Sequence, residues 1–232
     1  MIYNPNMSNN GFGIKDYNNM RKKYGIKLPF LYFFENHLFD LLNNVDTHKR
    51  VFKRADNISK NFDDGVFYMA SFNSVIKKTL NQIYEFEQDE FKNFQLIDIG
   101  SGKGKVLIVW KKFLNKRNLN NKIFGIEYDM SLTDIAIKNL KKKKYTDIEF
   151  YINDFEDVPE EVFNSESIYY LYNPFGKKTI EIFLKKLTGR NYIIYNNPIH
   201  LETFKNDNYE ILIENYGFHP NLNWVILKKT NI

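Results

Sequence analysis

The sequence predicts an α/β fold with a seven-stranded, mainly parallel sheet, an antiparallel C-terminal hairpin and an N-terminal helical extension. From residue 95 onward, short apolar runs alternate with amphipathic stretches long enough for helices, which is the pattern of a mainly parallel sheet. The last two apolar runs flank the short Gly- and Pro-containing segment 216–221, which has no room for a helix, so we expect them to pair as a hairpin. A glycine-rich turn after the first run marks the carboxyl end of a strand, where open α/β sheets bind ligands.

Length and composition indicate one globular domain with an appendage. The chain has 232 residues, of which 43% are hydrophobic and 26% charged. We assign residues 1–63 to an N-terminal arm and helical cover, and residues 64–232 to the ligand-binding domain. There is no cysteine, which excludes disulfides and a thiol nucleophile. The four histidines do not pair at helical metal-ligand spacing, so we expect no metal site.

Neither a targeting signal nor the net charge identifies a partner for this chain. The N-terminus has neither a basic start nor an apolar run, and no stretch approaches about 18 apolar residues, so we expect a cytoplasmic protein that does not span a membrane. The net charge of +5 is compatible with a nucleic-acid partner but too small to indicate one. The one dense basic run, residues 141–144, is typical of a solvated helix end.

The N-terminal third predicts two helices. Residues 1 to about 27 are rich in Asn and Gly and have little periodicity, so we expect a loose arm, or a flap that only a ligand orders. Phe30 to Leu42 carries too many large apolar residues for a surface helix and should pack as a cover. A second helix is predicted from Phe67 to Phe86, because its apolar residues recur at spacings of three and four.

The remaining elements follow the strand and helix alternation. The predicted strands are Leu96–Ile99, Lys122–Glu127, Ile148–Ile152, Ser167–Tyr172, Tyr192–Tyr195, Ile211–Asn215 and Trp224–Lys228. The predicted helices between them are Lys105–Leu114, Ser131–Leu140 and Lys177–Leu187.

Glycines at alternate positions dominate the turn after the first strand. Gly100, Gly102 and Gly104 give G-x-G-x-G, with Ser101 between the first two, whereas the dinucleotide fingerprint is G-x-G-x-x-G. The absence of Cβ atoms lets the backbone turn tightly and approach a ligand. Asp98 before the loop would repel a pyrophosphate but attract the cationic amino-acid portion of S-adenosylmethionine. The loop therefore favours S-adenosylmethionine as the cofactor.

Acidic residues at the next two strand ends could complete the cofactor site. Glu127 is placed to accept hydrogen bonds from both ribose hydroxyls of a nucleoside. Asp154 could accept from the adenine amino group while Phe155 covers the ring. Acidic residues are also common at strand ends, and Asp154 could be an ordinary turn former.

The fourth strand ends in a turn that is a candidate for binding the acceptor. The side-chain oxygen of Asn173, or the carbonyl of Asn173 or Pro174, can accept from an N–H group, and Phe175 offers an apolar or cation-binding face. The alternative is a helix-initiating Asn-Pro turn. Water, His200 or Tyr172 could remove an acceptor proton, and the sequence does not choose among them.

These motifs resemble class I S-adenosylmethionine-dependent methyltransferases, which have a Rossmann-like seven-stranded fold. The likeness rests on Asp98–Gly104, Gly125–Glu127, Asn153–Phe155 and Tyr172–Phe175. The chain is similar to uncharacterised bacterial members with a Tyr-Asn-Pro-Phe-Gly motif and an upstream Asp46-Thr-His48. More distantly, Tyr68-x-x-Ser71-Phe72 resembles the non-SET histone lysine methyltransferases. That resemblance implies that Tyr68, Ser71 and Phe72 line the cofactor, and that the Asn173–Phe175 turn lines the channel for the amine.

The sequence therefore predicts a methyltransferase that acts on a nitrogen acceptor, with a protein side chain as the first candidate. The alternatives are O-methylation of a small molecule, and a nucleoside-binding module without turnover. An NAD-dependent oxidoreductase is disfavoured by the glycine spacing.

Overall fold

A computed structural model describes residues 13–49 and 68–230 of the chain. In it, seven strands form one sheet in the order β3-β2-β1-β4-β5-β7-β6. The strands are β1 Gln95–Ile99, β2 Ile123–Ile126, β3 Ile148–Tyr151, β4 Ser167–Tyr172, β5 Asn191–Asn196, β6 Tyr209–Asn215 and β7 Trp224–Lys229. Strands β1 to β5 run parallel, and β7 is antiparallel to both of its neighbours, β5 and β6. The predicted fold class is confirmed, including the C-terminal hairpin.

Eight α-helices accompany the strands in the described part of the chain. They are α1 Ile14–Tyr24, α2 Lys27–Tyr32, α3 Leu38–Asn43, α4 Asn73–Glu87, α5 Lys105–Arg117, α6 Met130–Lys142, α7 Lys177–Lys186 and α8 Leu201–Lys205. A π-helical turn, Phe33–His37, joins α2 to α3.

Side chains on the two faces of the sheet form two apolar clusters. Along β1, Leu96 belongs to one cluster while Ile97 and Ile99 belong to the other, because successive strand residues point to opposite faces. The first cluster contains Trp110 of α5, and the second contains Phe183 of α7. Burial on both faces explains the nearly continuous apolar runs of β1, β4 and β5. Because β1 to β5 run parallel, the carboxyl ends of these strands lie at one edge of the sheet.

The N-terminal prediction of a loose arm up to about residue 27 is wrong for residues 14–24, which form α1. None of the residues of α1 is fully buried, and its apolar residues are too few to give a periodic signal. Instead, α1 packs on α2 through partly buried side chains such as Tyr17, which contacts the ring of Tyr32 edge-on. Residues 1–12 lie outside the described part.

The two other N-terminal helices differ in detail from the prediction. The helical cover spans Lys27–Asn43, but Phe30 and Leu41 on its outer face are 60% and 76% exposed. Only the opposite face, with Leu28 and Phe39, packs on the domain. The helix predicted from Phe67 begins at Asn73, because Phe72 has extended backbone angles.

The boundary assigned between residues 63 and 64 lies in the segment 50–67, outside the described residues, so the domain division stays a prediction. Across the described ranges 13–49 and 68–230, the helices are too short or too polar to cross a membrane. The same residues contain no cluster of His, Asp and Glu suited to a metal ion.

Candidate active site

The glycine loop between β1 and α5 has a backbone that only glycine adopts readily. Gly100, Gly102 and Gly104 have φ angles of 75°, 50° and 77°. The amides of Gly100 and Ser101 donate to the carbonyl of Ile126 at 2.9 and 3.0 Å, which ties the loop to the end of β2. The local glycine spacing therefore produces a rigid loop at the carboxyl edge of the sheet.

A small pocket lies beside this loop. Its wall includes Tyr68, Ser71, Asp98, Gly100 and Ser101, five residues that the sequence predicted for the cofactor. The rest of the wall comes from Met69, Ala70, Lys105, Val106, Tyr170 and Tyr172. The extended segment before α4 thus faces the glycine loop across the pocket.

Asp98 is a buried carboxylate on the pocket wall, only 3% exposed. Burial, together with repulsion from Glu127, raises its pKa well above the ordinary value. In the described part of the chain, no side chain forms an ion pair with Asp98. A buried carboxylate without a counter-charge is costly, and a cationic ligand would relieve that cost.

Glu127 lies just after β2, and its carboxylate forms a hydrogen bond with the glycine loop. Its Oε2 accepts from the amide of Gly102 at 2.9 Å, and its Oε1 accepts from the amide of Asp129 at 3.0 Å. Burial nevertheless raises the pKa of Glu127 to about 7. The carboxylate has further lone pairs for hydroxyl donors such as those of a ribose.

Ser101 presents a second unsatisfied group. Its hydroxyl oxygen is buried and has no hydrogen-bond partner among the described residues. A side chain on Gly125 of β2 would lie 2.9 Å from this oxygen, so Gly125 leaves the space that the serine occupies. Buried polar atoms are normally paired, so this hydroxyl has hydrogen-bonding capacity that the described residues do not use.

Two lysines, one in the glycine loop and one at the start of α5, bind the N-terminal segment 35–49, which the sequence analysis missed. Lys105 Nζ donates to the carbonyl of Glu35 at 2.7 Å and to Asn36 Oδ1 at 2.6 Å, and burial lowers its pKa to about 7. Lys103 Nζ donates to the carbonyl of Lys49 at 2.8 Å. Lysines between a buried strand and an apolar helix indicate that their ammonium groups have buried hydrogen-bond acceptors. The sequence does not indicate which residues supply those acceptors.

Other predicted residues lie in the core next to the site. Phe155 is buried with its ring 5.1 Å from that of Phe175, and neither is part of the pocket wall. Phe72 is likewise buried, with its ring 6.4 Å from that of Tyr32. Asp154 caps a short 3-10 helix by accepting from the amide of Glu156 at 3.2 Å. The predicted contacts of Phe72, Asp154 and Phe155 with a cofactor, and of Phe175 with the acceptor, stay predictions.

The turn after β4 lies against the glycine loop. Asn173 has a left-handed φ of 42°, and its Oδ1 accepts from the hydroxyl of Tyr195 at 3.1 Å. A side chain on Gly100 would lie 3.3 Å from Cβ of Pro174. The structure therefore brings the predicted acceptor turn to the predicted cofactor loop, although the two are about 70 residues apart.

Comparisons with known proteins identify a family and agree with the fold. A family model described as a methyltransferase domain matches residues 90–215. The fold is similar to that of a candidate class I S-adenosylmethionine-dependent methyltransferase from Listeria monocytogenes, with 14% identity, a TM-score of 0.55, and coverage of 93% of this chain and 69% of that one. It is also similar to a candidate RNA methyltransferase from Pyrococcus horikoshii, with 16% identity, a TM-score of 0.51, and coverage of 83% and 94%. At these identities the two structures show the fold alone. No curated protein matches the sequence.

Proposed function

This chain belongs to the methyltransferase-domain family, and we propose that it transfers a methyl group from S-adenosylmethionine to a nitrogen acceptor. The observation that carries the choice of cofactor is the buried carboxylate of Asp98, which forms an ion pair with none of the described residues, beside a loop of three left-handed glycines. A cationic amino acid attached to a nucleoside meets both the charge and the close backbone approach of this site.

The groups of the site fit the parts of such a cofactor. S-adenosylmethionine supplies an electrophilic methyl group on a sulfonium. We assign its ammonium group to Asp98, a polar atom of its amino-acid portion to the Ser101 hydroxyl, and its ribose hydroxyls to Glu127. Tyr68 and Ser71 form the opposite wall. The base is assigned to Asp154 and Phe155 on the strength of their place after β3 alone.

The acceptor is assigned to the Asn173–Phe175 turn because Pro174 lies against Gly100. Asn173 would accept an N–H hydrogen bond through its side chain or backbone carbonyl, directing the nitrogen lone pair toward the cofactor loop. The hydroxyl of Tyr195 holds the amide in place, since burial raises its pKa to about 12 and keeps it protonated. Positioning of this kind can account for a large part of a methyl-transfer rate enhancement.

Replacing Asn173 by glycine should lower turnover about 10- to 100-fold and change the affinity for S-adenosylhomocysteine less than twofold. Glycine removes the amide but accepts the φ of 42°, so the backbone is not strained. Asn118→Gly is the matched control, because Asn118 also has a left-handed φ, of 56°, at the distant end of α5. Equal losses of turnover and affinity in Asn173→Gly would remove its role in positioning the acceptor.

Cofactor binding should strengthen as pH rises. The pKa of about 7 means that Glu127 is partly protonated in the free chain, whereas ribose hydroxyls donate to its ionised form. Binding should therefore release a proton, and the affinity for S-adenosylhomocysteine should rise up to about tenfold between pH 6 and pH 7.5. Calorimetry in buffers of different ionisation enthalpy measures both quantities. A Glu127→Gln variant that kept the same pH dependence would refute this assignment.

Transfer of radiolabelled methyl from S-adenosylmethionine to fractionated cell extract tests the acceptor class. We expect label in the protein fraction, in acid-stable and base-stable form as for an N-methyl group. Label in small molecules that is lost on ester hydrolysis would favour O-methylation instead. Label in RNA would overturn the protein acceptor, and cofactor binding without any labelled fraction would favour a nucleoside-binding module.

A further inference from the structure

Asp40 of α3 is the centre of a buried polar cluster that no step of the proposed reaction uses. Its Oδ2 accepts from the amide of Thr47 at 2.6 Å and from His48 Nδ1 at 2.5 Å, and its Oδ1 accepts from the Thr47 hydroxyl at 2.5 Å. Burial opposes ionisation, but these hydrogen bonds hold the pKa of Asp40 below its ordinary value. The cluster therefore contains a carboxylate that fixes the turn 46–48 at several points.

The same turn is attached to the domain on its other side. Asn139 of α6 accepts from the amide of Asp46 at 2.9 Å and donates to its carbonyl at 3.0 Å. Asn139 also donates to the carbonyl of Lys103 in the glycine loop at 3.1 Å. One buried amide thus connects the turn with the loop, so the turn has a defined place relative to the pocket.

Tyr68 is the link from this turn to the pocket. Tyr68 is part of the pocket wall, its hydroxyl donates to the carbonyl of Thr47, and its ring lies directly against Gly102 of the glycine loop. Lys103 Nζ lies 5.9 Å from the centre of the same ring. Among the described residues, the hydroxyl of Tyr68 is therefore tethered to Thr47, the residue that Asp40 holds.

We propose that Asp40 is a positioning residue for the cofactor pocket, which acts through Thr47 to hold the ring of Tyr68 against the glycine loop. The inference rests on the proposed function of the pocket as the S-adenosylmethionine site. It assigns the helical cover a part in cofactor binding, beyond covering apolar surface. It also gives the segment Asp46–His48 a role, as the bridge between Asp40 and the pocket wall.

A double-mutant cycle on S-adenosylhomocysteine affinity tests the proposal. Tyr68→Phe removes only the tethering hydroxyl, and Asp40→Asn keeps the shape of Asp40 while weakening its hold on the turn. Each should lower the affinity about 3- to 10-fold, the effect of one hydrogen bond. Because Tyr68 and Asp40 both act through Thr47, the affinity of the double variant should be about that of the single variant with the lower affinity.

Tyr209→Phe is the matched control. Tyr209 is also buried and donates its hydroxyl to a side chain, Asn191 Oδ1 at 2.8 Å, but it is not part of the pocket wall. Its variant should lose thermal stability to a similar degree as Tyr68→Phe while binding the ligand like the wild type. If Asp40→Asn does not fold, Tyr68→Phe and this control still decide whether the tether contributes to binding.

The outcomes separate this proposal from the proposed function. If the wild-type chain does not bind S-adenosylhomocysteine, the cofactor assignment itself fails. If the wild type binds S-adenosylhomocysteine and the single variants Tyr68→Phe and Asp40→Asn bind it as tightly as the wild type does, only the positioning role of Asp40 is overturned. Strictly additive losses in the double variant would also overturn it, because they would show that Asp40 and Tyr68 act independently.

Discussion

Gly102→Ala is expected to reduce S-adenosylhomocysteine affinity at least about 100-fold, or about 2.7 kcal/mol. A Cβ at this position would overlap the ring of Tyr68, and the φ of 50° is unfavourable for any residue with a side chain. Either the ring must leave the pocket wall or the loop must change shape. Isothermal calorimetry measures the loss directly.

Gly25→Ala separates backbone strain from the loss of the pocket. Gly25 also has a positive φ, of 72°, but a Cβ there would meet nothing within 4 Å. This control should lower the melting temperature and leave the affinity unchanged. Wild-type affinity in a folded Gly102→Ala chain would show that the ligand does not depend on the Tyr68 contact or on the loop conformation.

Asp98→Asn is expected to abolish cofactor binding and at the same time to stabilise the free chain at pH 8. The variant removes a buried ionisable group that is costly at pH 8, because burial opposes its charge and no described residue pairs with it, while keeping the size of the side chain. Thermal unfolding should show the gain as a higher melting temperature, by about 2–4 °C for each kcal/mol in a chain of this size. Added S-adenosylhomocysteine should raise the melting temperature of the wild type but not that of the variant.

The pH dependence of this gain follows from the raised pKa of Asp98. Asp98 binds its proton more tightly in the folded wild type than in the unfolded chain. The stability that this protonation contributes is therefore fully present below the unfolded pKa and is lost as pH rises through the folded pKa. The advantage of Asp98→Asn should therefore be large at pH 8 and shrink toward pH 4. Asp134→Asn, which removes an exposed charge on α6, should show no such trend. A variant that is less stable than the wild type at pH 8 would show that the Asp98 carboxylate is compensated.

The strands and the glycine loop were determined by local sequence. Strand β4 was predicted as Ser167–Tyr172 and has those bounds, because a run of apolar and aromatic residues between turn signals has one favourable backbone conformation. The loop conformation at Gly100, Gly102 and Gly104 likewise follows from the absence of Cβ atoms at those three positions. Asp98 and Glu127 are then placed near the loop by the order of the parallel strands.

Only the tertiary structure decided how the N-terminal cover joins the site. Lys105 donates to Asn36, and Asn139 pairs with Asp46 across 93 residues of chain. The extended backbone before α4, where a helix was predicted, belongs to the same arrangement, since Tyr68 reaches both Thr47 and Gly102. Helical periodicity and the backbone freedom of glycine depend on residues near in sequence, whereas a buried polar group takes whichever partner the packed fold brings within hydrogen-bond distance.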